Sequence, residues 1–289
     1  MKKNVFILGA TGFIGKAVTR FFLDKKRTSL VLASKKGGKL NGRTVHPLDL
    51  TKRNSLVRWL GDKKIDCIIY LSSLIPDPFN KAGSKVFLLN ERMHQQVLKY
   101  WLLKKCHLIY ASSCSVAPLA DNYYSRSKLN GEYLFLKEYS DNGRPLTVLR
   151  INAPYGYQEQ RKTVVNTFVE NALSGEPLRL MGTGKREQDF IYVDDVAYAF
   201  WLALTKKKYG VYNIAGGRSV TMRQLAKLIV QTLHSSSEIV LDRQPDPQEG
   251  ARVKIDIRRA RKELGFRPRY DLKKGLQKMA GLYRYENAR

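Results

Sequence analysis

The side chains best placed to act together are a phenol and an ammonium. Tyr124-Ser125-Arg126-Ser127-Lys128 opens a segment with helical periodicity, and the i, i+4 spacing sets Tyr124 and Lys128 on one helix face, a single turn apart. A free tyrosine, with a pKa of about 10, is a poor base at neutral pH. A cation ~4 Å away is worth up to ~4 kcal/mol at an effective dielectric of about 20, enough to bring the phenol about three pH units closer to neutrality. Such a phenol can exchange a proton with a sugar hydroxyl or a ketone while hydride passes to or from a nicotinamide. The pair alone is a weak signal, because a tyrosine and a lysine four residues apart recur on ordinary amphipathic helices. Ser112-Ser113, at the end of the preceding predicted strand, adds a hydroxyl able to bond the same substrate oxygen and to stabilise charge developing on it.

A second constellation supplies the place for the nicotinamide. Gly9-Ala10-Thr11-Gly12-Phe13-Ile14-Gly15 stands between an apolar run and a helical segment, the context in which a glycine fingerprint means dinucleotide binding. Gly9 permits the tight turn, Gly12 lets backbone N–H groups approach the pyrophosphate, and Gly15 allows the helix to pack closely on the sheet. The helix N-terminus stabilises the anion. Gly9, Thr11, Gly12, Phe13, Ile14 and Gly15, with Tyr124 and Lys128, are thus candidate cofactor contacts. An Asp or Glu about 20 residues after the glycines would hold the ribose 2′-hydroxyl of NAD. Ala33, Ser34, Lys35 and Lys36 stand there instead. A hydroxyl followed by two cations suits a 2′-phosphate, so NADP(H) is favoured, with NAD(H) as the alternative, and Ser34 and Lys35 join the cofactor set.

These motifs require elements to carry them, and the sequence supplies a βαβ series. Strands are predicted at 4–8, 30–33, 67–71, 107–112 and 146–151, with helices at 16–24, 55–60, 91–102 and 125–139. The fold class that follows is α/β, a Rossmann-type doubly wound parallel sheet with a smaller C-terminal substrate-binding lobe. Beyond Pro154 the pattern loosens into a helix at 164–173, turns at Gly182 and Gly184, a strand at 190–193 and a helix at 196–204. Residues 1–158 are expected to form the NAD(P)-binding domain. Residues 159–289 are expected to form the substrate lobe, returning a strand at about 211–214 to the first sheet. Ligands are expected in the cleft between the two.

The bulk properties narrow the class. With 289 residues, 43% of them hydrophobic, the chain can bury a sizeable core. The formal charge of +27 is carried by short clusters, such as Lys25-Lys26-Arg27 and Lys206-Lys207-Lys208, spread along the chain without a basic tail or interleaved aromatics. That distribution reads as a solvated surface and sets nucleic acid aside as a partner. The remote rival is a noncatalytic NAD(P)- or RNA-binding protein on the same fold, against which Ser113, Tyr124 and Lys128 jointly argue. Cys67, Cys106 and Cys114 have no metal-ligand spacing, so no metal site is expected, and their odd number argues against a disulfide framework; a reducing cytoplasm fits. The N-terminal apolar run breaks at Gly9, too early for a signal peptide, and no stretch approaches the ~20 apolar residues of a membrane span.

Taken together, the motifs resemble the extended short-chain dehydrogenase/reductase family, whose members include epimerases, dehydratases and reductases of nucleotide sugars. Besides GATGFIG and YSRSK, the resemblance runs through Asn90, LRINAPYG at 149–156, GTGKREQDFIYVDDVA at 182–197, YNIAGG at 212–217, Arg252, Asp256 and LGFRP at 264–268. It implies catalytic roles for Ser113, Tyr124 and Lys128, adenine contacts from Asp49 and Leu50, and a place for Leu71 in the cofactor pocket. It further implies that Arg186 and Arg252 hold the diphosphate of a nucleotide-diphosphate sugar, that Asn152 and Asn166 contact its sugar or nucleotide, and that the Asp194-Asp195 loop is structural. A homodimer through the helices holding 90–102 and 125–139 is usual for the family.

Departures from the family pattern narrow the reaction. The 4,6-dehydratases carry Asp and then Glu after the catalytic hydroxyl, where this chain has Cys114 and Ser115, which disfavours dehydration. Combined epimerase-reductases use a Cys and a His; Ser115 occupies the Cys position, and none of His46, His94, His107 and His234 is a convincing partner. Ala117-Pro118 replaces an aromatic-glycine pair, and Tyr70-Leu71-Ser72 replaces His-Leu-Ala. The favoured activity is reduction of a nucleotide-linked 4-keto-6-deoxyhexose, and the alternative is a 4-epimerase that retains NAD.

Overall fold

The computed structural model describes residues 2–61, 63–75, 83–116, 122–157, 162–242 and 244–287. Ala117-Pro118 and the expected domain boundary at 158 lie outside the described residues. In chain order the elements are β1 (Lys3–Leu8), α1 (Phe13–Leu23), β2 (Thr28–Ser34), β3 (Gly38–Leu40), β4 (Arg43–Pro47), α2 (Ser55–Leu60), β5 (Cys67–Tyr70), α3 (Gly83–Lys104), β6 (His107–Ser113), α4 (Tyr123–Asn142) and β7 (Leu146–Ile151). They continue with β8 (Pro154–Tyr155), α5 (Val164–Ser174), β9 (Leu178–Leu180), β10 (Glu187–Asp189), β11 (Ile191–Tyr192), α6 (Val193–Lys206), β12 (Gly210–Ile214), β13 (Ser219–Thr221), α7 (Met222–Leu233), β14 (Ile239–Leu241) and α8 (Leu272–Asn287).

Eight strands form one sheet in the order β12-β7-β6-β5-β1-β2-β4-β3. The pairs from β7 through β4 are parallel, and β3 closes its edge antiparallel to β4. Val5 to Leu8 and Cys67 to Tyr70 are buried without alternation, as expected of central parallel strands covered on both faces. The strand order reverses at β1, which has β2 on one side and β5 on the other. The carboxyl ends of strands at such a switch point form the crevice in which doubly wound sheets bind ligands. An aromatic cluster of Phe6, Tyr70, Tyr100, Trp101, Tyr110 and Phe135 fills the core on the α3 and α4 side.

The chain groups into two compact units that interleave in sequence. The first comprises Met1–Ile151, Val196–Asn213 and Arg259–Phe266; the second comprises Asn152–Asp195, Ile214–Arg258 and Arg267–Arg289. A single boundary at 158 does not describe these units, because α6 and β12 bury their apolar residues with the first one. The second unit has its own core, in which Phe168, Leu178, Leu225, Ile229, Leu276 and Met279 from α5, β9, α7 and α8 come together.

Several elements differ from the sequence expectation. The helix predicted at 91–102 is the longer α3, which also contains Asn90. The strand predicted at 190–193 is the shorter β11, the separate strand β10 precedes it, and Val193 already opens α6, whose first turn holds Asp194 and Asp195 where the helix dipole favours negative charge. Helices α7 and α8 are additions to the sequence reading. Helix α7 starts at a capping box in which Thr221 and Gln224 satisfy each other's backbone N–H groups.

Candidate active site

The Asn122 side chain accepts a hydrogen bond from the Ser125 N–H (2.9 Å), capping α4 so that Tyr124 falls in its first turn and Lys128 one turn further on. The Lys128 ammonium is buried and donates to the Ala111 carbonyl of β6 at 2.8 Å. It lies 5.1 Å from the Tyr110 ring centre and 5.7 Å from that of Tyr124. Burial pushes its pKa down to about 7, against an upward pull from Glu132. At pH 7 and below a cation thus sits beside the half-buried Tyr124 ring in a place with little solvent to screen it.

Glu132, one turn after Lys128, is almost fully buried and forms a two-point ion pair with Arg150 of β7, with Nε–Oε1 at 2.9 Å and Nη2–Oε2 at 2.5 Å. The Ser112 hydroxyl also donates to Glu132. Helix α4 is therefore tied to the ends of β6 and β7 behind Ser113, which closes β6. The Ser113 hydroxyl lies 2.9 Å from that of Ser115.

On the α3 side, the Asn90 amide bonds both the N–H (2.8 Å) and the carbonyl (2.9 Å) of Leu74 and donates to the Ser127 hydroxyl (3.2 Å). His94 bridges the Tyr70 hydroxyl and the Ser127 carbonyl, each at 3.0 Å; burial first and Lys128 second push its pKa down to about 3, so it is neutral. A Cβ on Gly131 would meet the Tyr110 hydroxyl at 2.5 Å and His94 Nε2 at 3.0 Å, so α4 can approach this cluster only because residue 131 is glycine.

The glycine loop joins β1 to α1 at the switch point. Gly9 has φ +91°, where L side chains are strained, and a Cβ there would lie 2.8 Å from the Ser72 nitrogen. A Cβ on Gly15 would run into the Gly9 carbonyl oxygen. Helix α1 has Gly12 as its N-cap residue, with no side-chain cap bond and no acid in its first turn, leaving its N-terminal N–H groups for an anion. These features fit the pyrophosphate of a dinucleotide. At the tip of β2, Ser34 accepts from the Gly37 N–H (3.2 Å), and the exposed Lys35 lies 3.9 Å from an Asp49 oxygen. Asp49 accepts from the Thr51 N–H (2.9 Å) and hydroxyl (2.6 Å), which with Lys35 and Lys52 hold its carboxyl below the usual range despite the opposing effect of burial. Leu50 is buried, and Leu71 continues from β5 by donating its N–H to the Leu8 carbonyl at 2.9 Å.

The expected substrate residues belong to the second unit. Asn152 donates to the Asp189 carbonyl at 2.6 Å, and Asn166 donates to the Gly156 carbonyl and the Tyr283 hydroxyl, both at 3.3 Å, so both amides bond the protein itself. Arg186 pairs with Asp246 at 2.9 Å and donates to Gln248 at 2.8 Å. Arg252 is exposed, and the Glu187 N–H bonds the Ala251 carbonyl at 2.9 Å, joining the segments that carry the two arginines. Asp195 is buried and accepts from the Arg269 and Tyr270 N–H groups at 3.0–3.1 Å, a structural anchor. Asp189 anchors the glycine turn in the same way through the Gly217 N–H, and burial raises its pKa to about 6.

Sequence reasoning missed the Glu132–Arg150–Ser112 network and the anchoring by Asn90 and His94. Only the Lys128 to Glu132 spacing hints at the first, since Arg150 meets Glu132 through strand adjacency. Among the described residues no group of three or more His, Cys, Asp or Glu is gathered to hold a metal ion, and no helix is long and apolar enough to cross a membrane.

Comparison with known proteins follows the same lines. Residues 5–215 match the sequence model of the NAD dependent epimerase/dehydratase family. Over 173 residues, 59% of this chain and 52% of the relative, the chain is 31% identical to dTDP-glucose 4,6-dehydratase of Streptomyces antibioticus, and so spans about half the length of that protein. It is 26% identical to dTDP-4-dehydro-6-deoxyglucose reductase of Escherichia coli, covering 96% of each chain. Among solved structures, UDP-glucose 4-epimerase of Thermotoga maritima with UDP-glucose shares the fold at a TM-score of 0.89 and 22% identity, over 98% of this chain and 99% of that one. UDP-glucose 4-epimerase of Thermus thermophilus in complex with NAD does so at 0.84 and 20%, over 97% and 99%.

Proposed function

The chain belongs to the NAD dependent epimerase/dehydratase family, and from that premise we propose that it reduces a nucleotide-linked 4-keto-6-deoxyhexose, with Tyr124 as the proton donor. The observation that carries this reading is the buried Lys128 ammonium one helical turn from the Tyr124 phenol, at the end of the strand that presents Ser113. Bound NADPH would supply the hydride. Tyr124 then delivers its proton to the carbonyl oxygen, the charged Lys128 stabilises the phenolate left behind, and Ser113 holds the same oxygen by a hydrogen bond. Gly9, Thr11, Gly12, Phe13, Ile14 and Gly15 cradle the pyrophosphate, Asp49 and Leu50 take the adenine, and Leu71 lines the pocket. With no carboxylate at the tip of β2, Ser34 and Lys35 favour a 2′-phosphate and hence NADP(H).

Arg186 and Arg252 are assigned to the substrate diphosphate, which suits planar bidentate donors. Arg186 must then share or exchange its Asp246 partner when the diphosphate arrives. Asn152 and Asn166 are assigned to the sugar or nucleotide through whatever bonding capacity their protein contacts leave. Exposed Leu88 on α3 and Tyr123, Leu129 and Tyr133 on α4 fit a homodimer through these two helices.

The test is spectrophotometric. Purified protein supplied with NADPH and a nucleotide 4-keto-6-deoxyhexose should consume NADPH stoichiometrically with product. Protein that releases NAD on denaturation and interconverts 4-epimers without net cofactor turnover would replace this reading with that of a 4-epimerase, a reading to which the Lys35–Asp49 proximity lends support because it draws positive charge away from a 2′-phosphate.

A further inference from the structure

Three serine hydroxyls lie in a chain at the end of β6. The Ser125 side chain is fully buried in the first turn of α4 and donates to Ser115 Oγ at 2.9 Å. Ser115 Oγ in turn lies 2.9 Å from Ser113 Oγ, and the Ser115 backbone N–H donates to Ser113 Oγ at 3.2 Å. A serine hydroxyl has one hydrogen and two acceptor lone pairs. With Ser125 donating into Ser115, the hydrogen of Ser115 has Ser113 Oγ as its protein partner among the described residues. Ser113 then accepts twice, from the backbone N–H and from the Ser115 hydroxyl, which fills both of its lone pairs. In this order its own hydrogen is left over and points out of the chain, although the Ser113–Ser115 contact by its geometry allows either hydroxyl to donate.

We propose that Ser115 and Ser125 are positioning residues that lock Ser113 as a hydrogen-bond donor, so that this site takes its substrate oxygen as a carbonyl or a developing alkoxide. The inference rests on the role given to Ser113 above and deepens it by fixing the direction of the bond. The opposite order, in which Ser113 donates to Ser115, would spend the Ser113 hydrogen inside the chain and offer the substrate only an acceptor. A ketone oxygen has no hydrogen to give and would then be repelled. With the donor order, a ketone oxygen can receive one hydrogen bond from Ser113 and one from Tyr124. Both bonds strengthen as negative charge develops on that oxygen during reduction. The order also fixes in advance the orientation of the Ser113 hydroxyl, which would otherwise rotate.

Two measurements decide the point. Neutron diffraction from deuterium-exchanged crystals should place the deuterium of Ser115 on the line to Ser113 Oγ and that of Ser113 away from Ser115; a Ser113 deuterium aimed at Ser115 overturns the proposal. In turnover, Ser115→Ala should lower kcat about 10-fold with the KM for cofactor unchanged, while Ser115→Thr, which keeps the hydroxyl, restores it. Ser113→Ala should cost roughly 100-fold or more, and Ser113→Ala/Ser115→Ala no more than Ser113→Ala alone, because Ser115 acts only through Ser113. Additive losses in the double variant overturn the proposal. A parent enzyme inert in both 4-keto reduction and 4-epimerisation overturns the functional reading instead, and the neutron map alone then decides the hydroxyl order.

Discussion

Replacing Lys128 by methionine keeps the length and packing of the side chain while removing its charge, and it separates the residue's chemistry from its structural cost. Lys128 is buried, with its pKa pushed down to about 7 by that burial, whereas in the unfolded chain it titrates at about 10.5. Between these values the unfolded state binds the extra proton, so this residue makes the parent protein more stable as pH rises through the window and contributes its full penalty below about 7. From pH 6 to pH 9 the stability of the parent relative to Lys128→Met should therefore rise by roughly 2–3 kcal/mol, since each full pH unit of one-proton difference is worth about 1.4 kcal/mol. Other titrating groups cancel in the comparison. Denaturant unfolding of the cofactor-free proteins at four or five pH values, followed by tryptophan fluorescence, reads the difference in the relevant unit, because Trp59, Trp101 and Trp201 all belong to the first one. At pH 6 the variant should approach or exceed the parent in stability while its turnover falls by about 100-fold or more. Parallel stability curves, constant to within about 0.5 kcal/mol, would refute the reasoning, because Lys128 would then not be held in a desolvated site.

Other perturbations test neighbouring parts of the site. Tyr124→Phe should lose about 100- to 10,000-fold in turnover with an unchanged circular dichroism spectrum, and full activity would remove it from the mechanism. Glu132→Gln leaves Arg150 without its buried partner and should lower unfolding free energy by about 3–5 kcal/mol in denaturant titration. Gly15→Ala places a Cβ against the Gly9 carbonyl, so dinucleotide binding by calorimetry should drop sharply or the protein should fail to fold; unaltered affinity would show that the loop adapts. Lys35→Asp should reverse a preference for NADPH over NADH, read as the ratio of the two dissociation constants. His94 and His107 are buried with pKa values pushed down to about 3, so the unfolded chain takes up protons first as pH falls below about 6.5. Stability should decline from that point toward pH 3, and His94→Gln should flatten part of the decline.

Much of this molecule was legible without coordinates because its signals are local. The glycine loop is read from Gly9, Gly12 and Gly15 standing between an apolar strand and a helix, since backbone φ and the approach of an anion depend on residues a few positions apart. The Tyr124 and Lys128 pair follows from helical geometry alone, and the unbroken apolar runs of β1 and β5 already mark the middle of a parallel sheet. Tertiary structure decided what depends on which segments become neighbours. The Lys128 ammonium reaches the Ala111 carbonyl only because α4 packs on β6, and Glu132 meets Arg150 because β7 pairs with β6. Arg186 looks like a free phosphate ligand in one dimension, yet its partner Asp246 lies 60 positions along the chain. The interleaving of the two units has the same origin, since Val196–Asn213, which carries most of α6 and β12, groups with the first unit although the stretches on either side of it belong to the second. Local conformation is set over one or two turns, whereas charge pairing and burial are set by the packing of elements far apart in sequence.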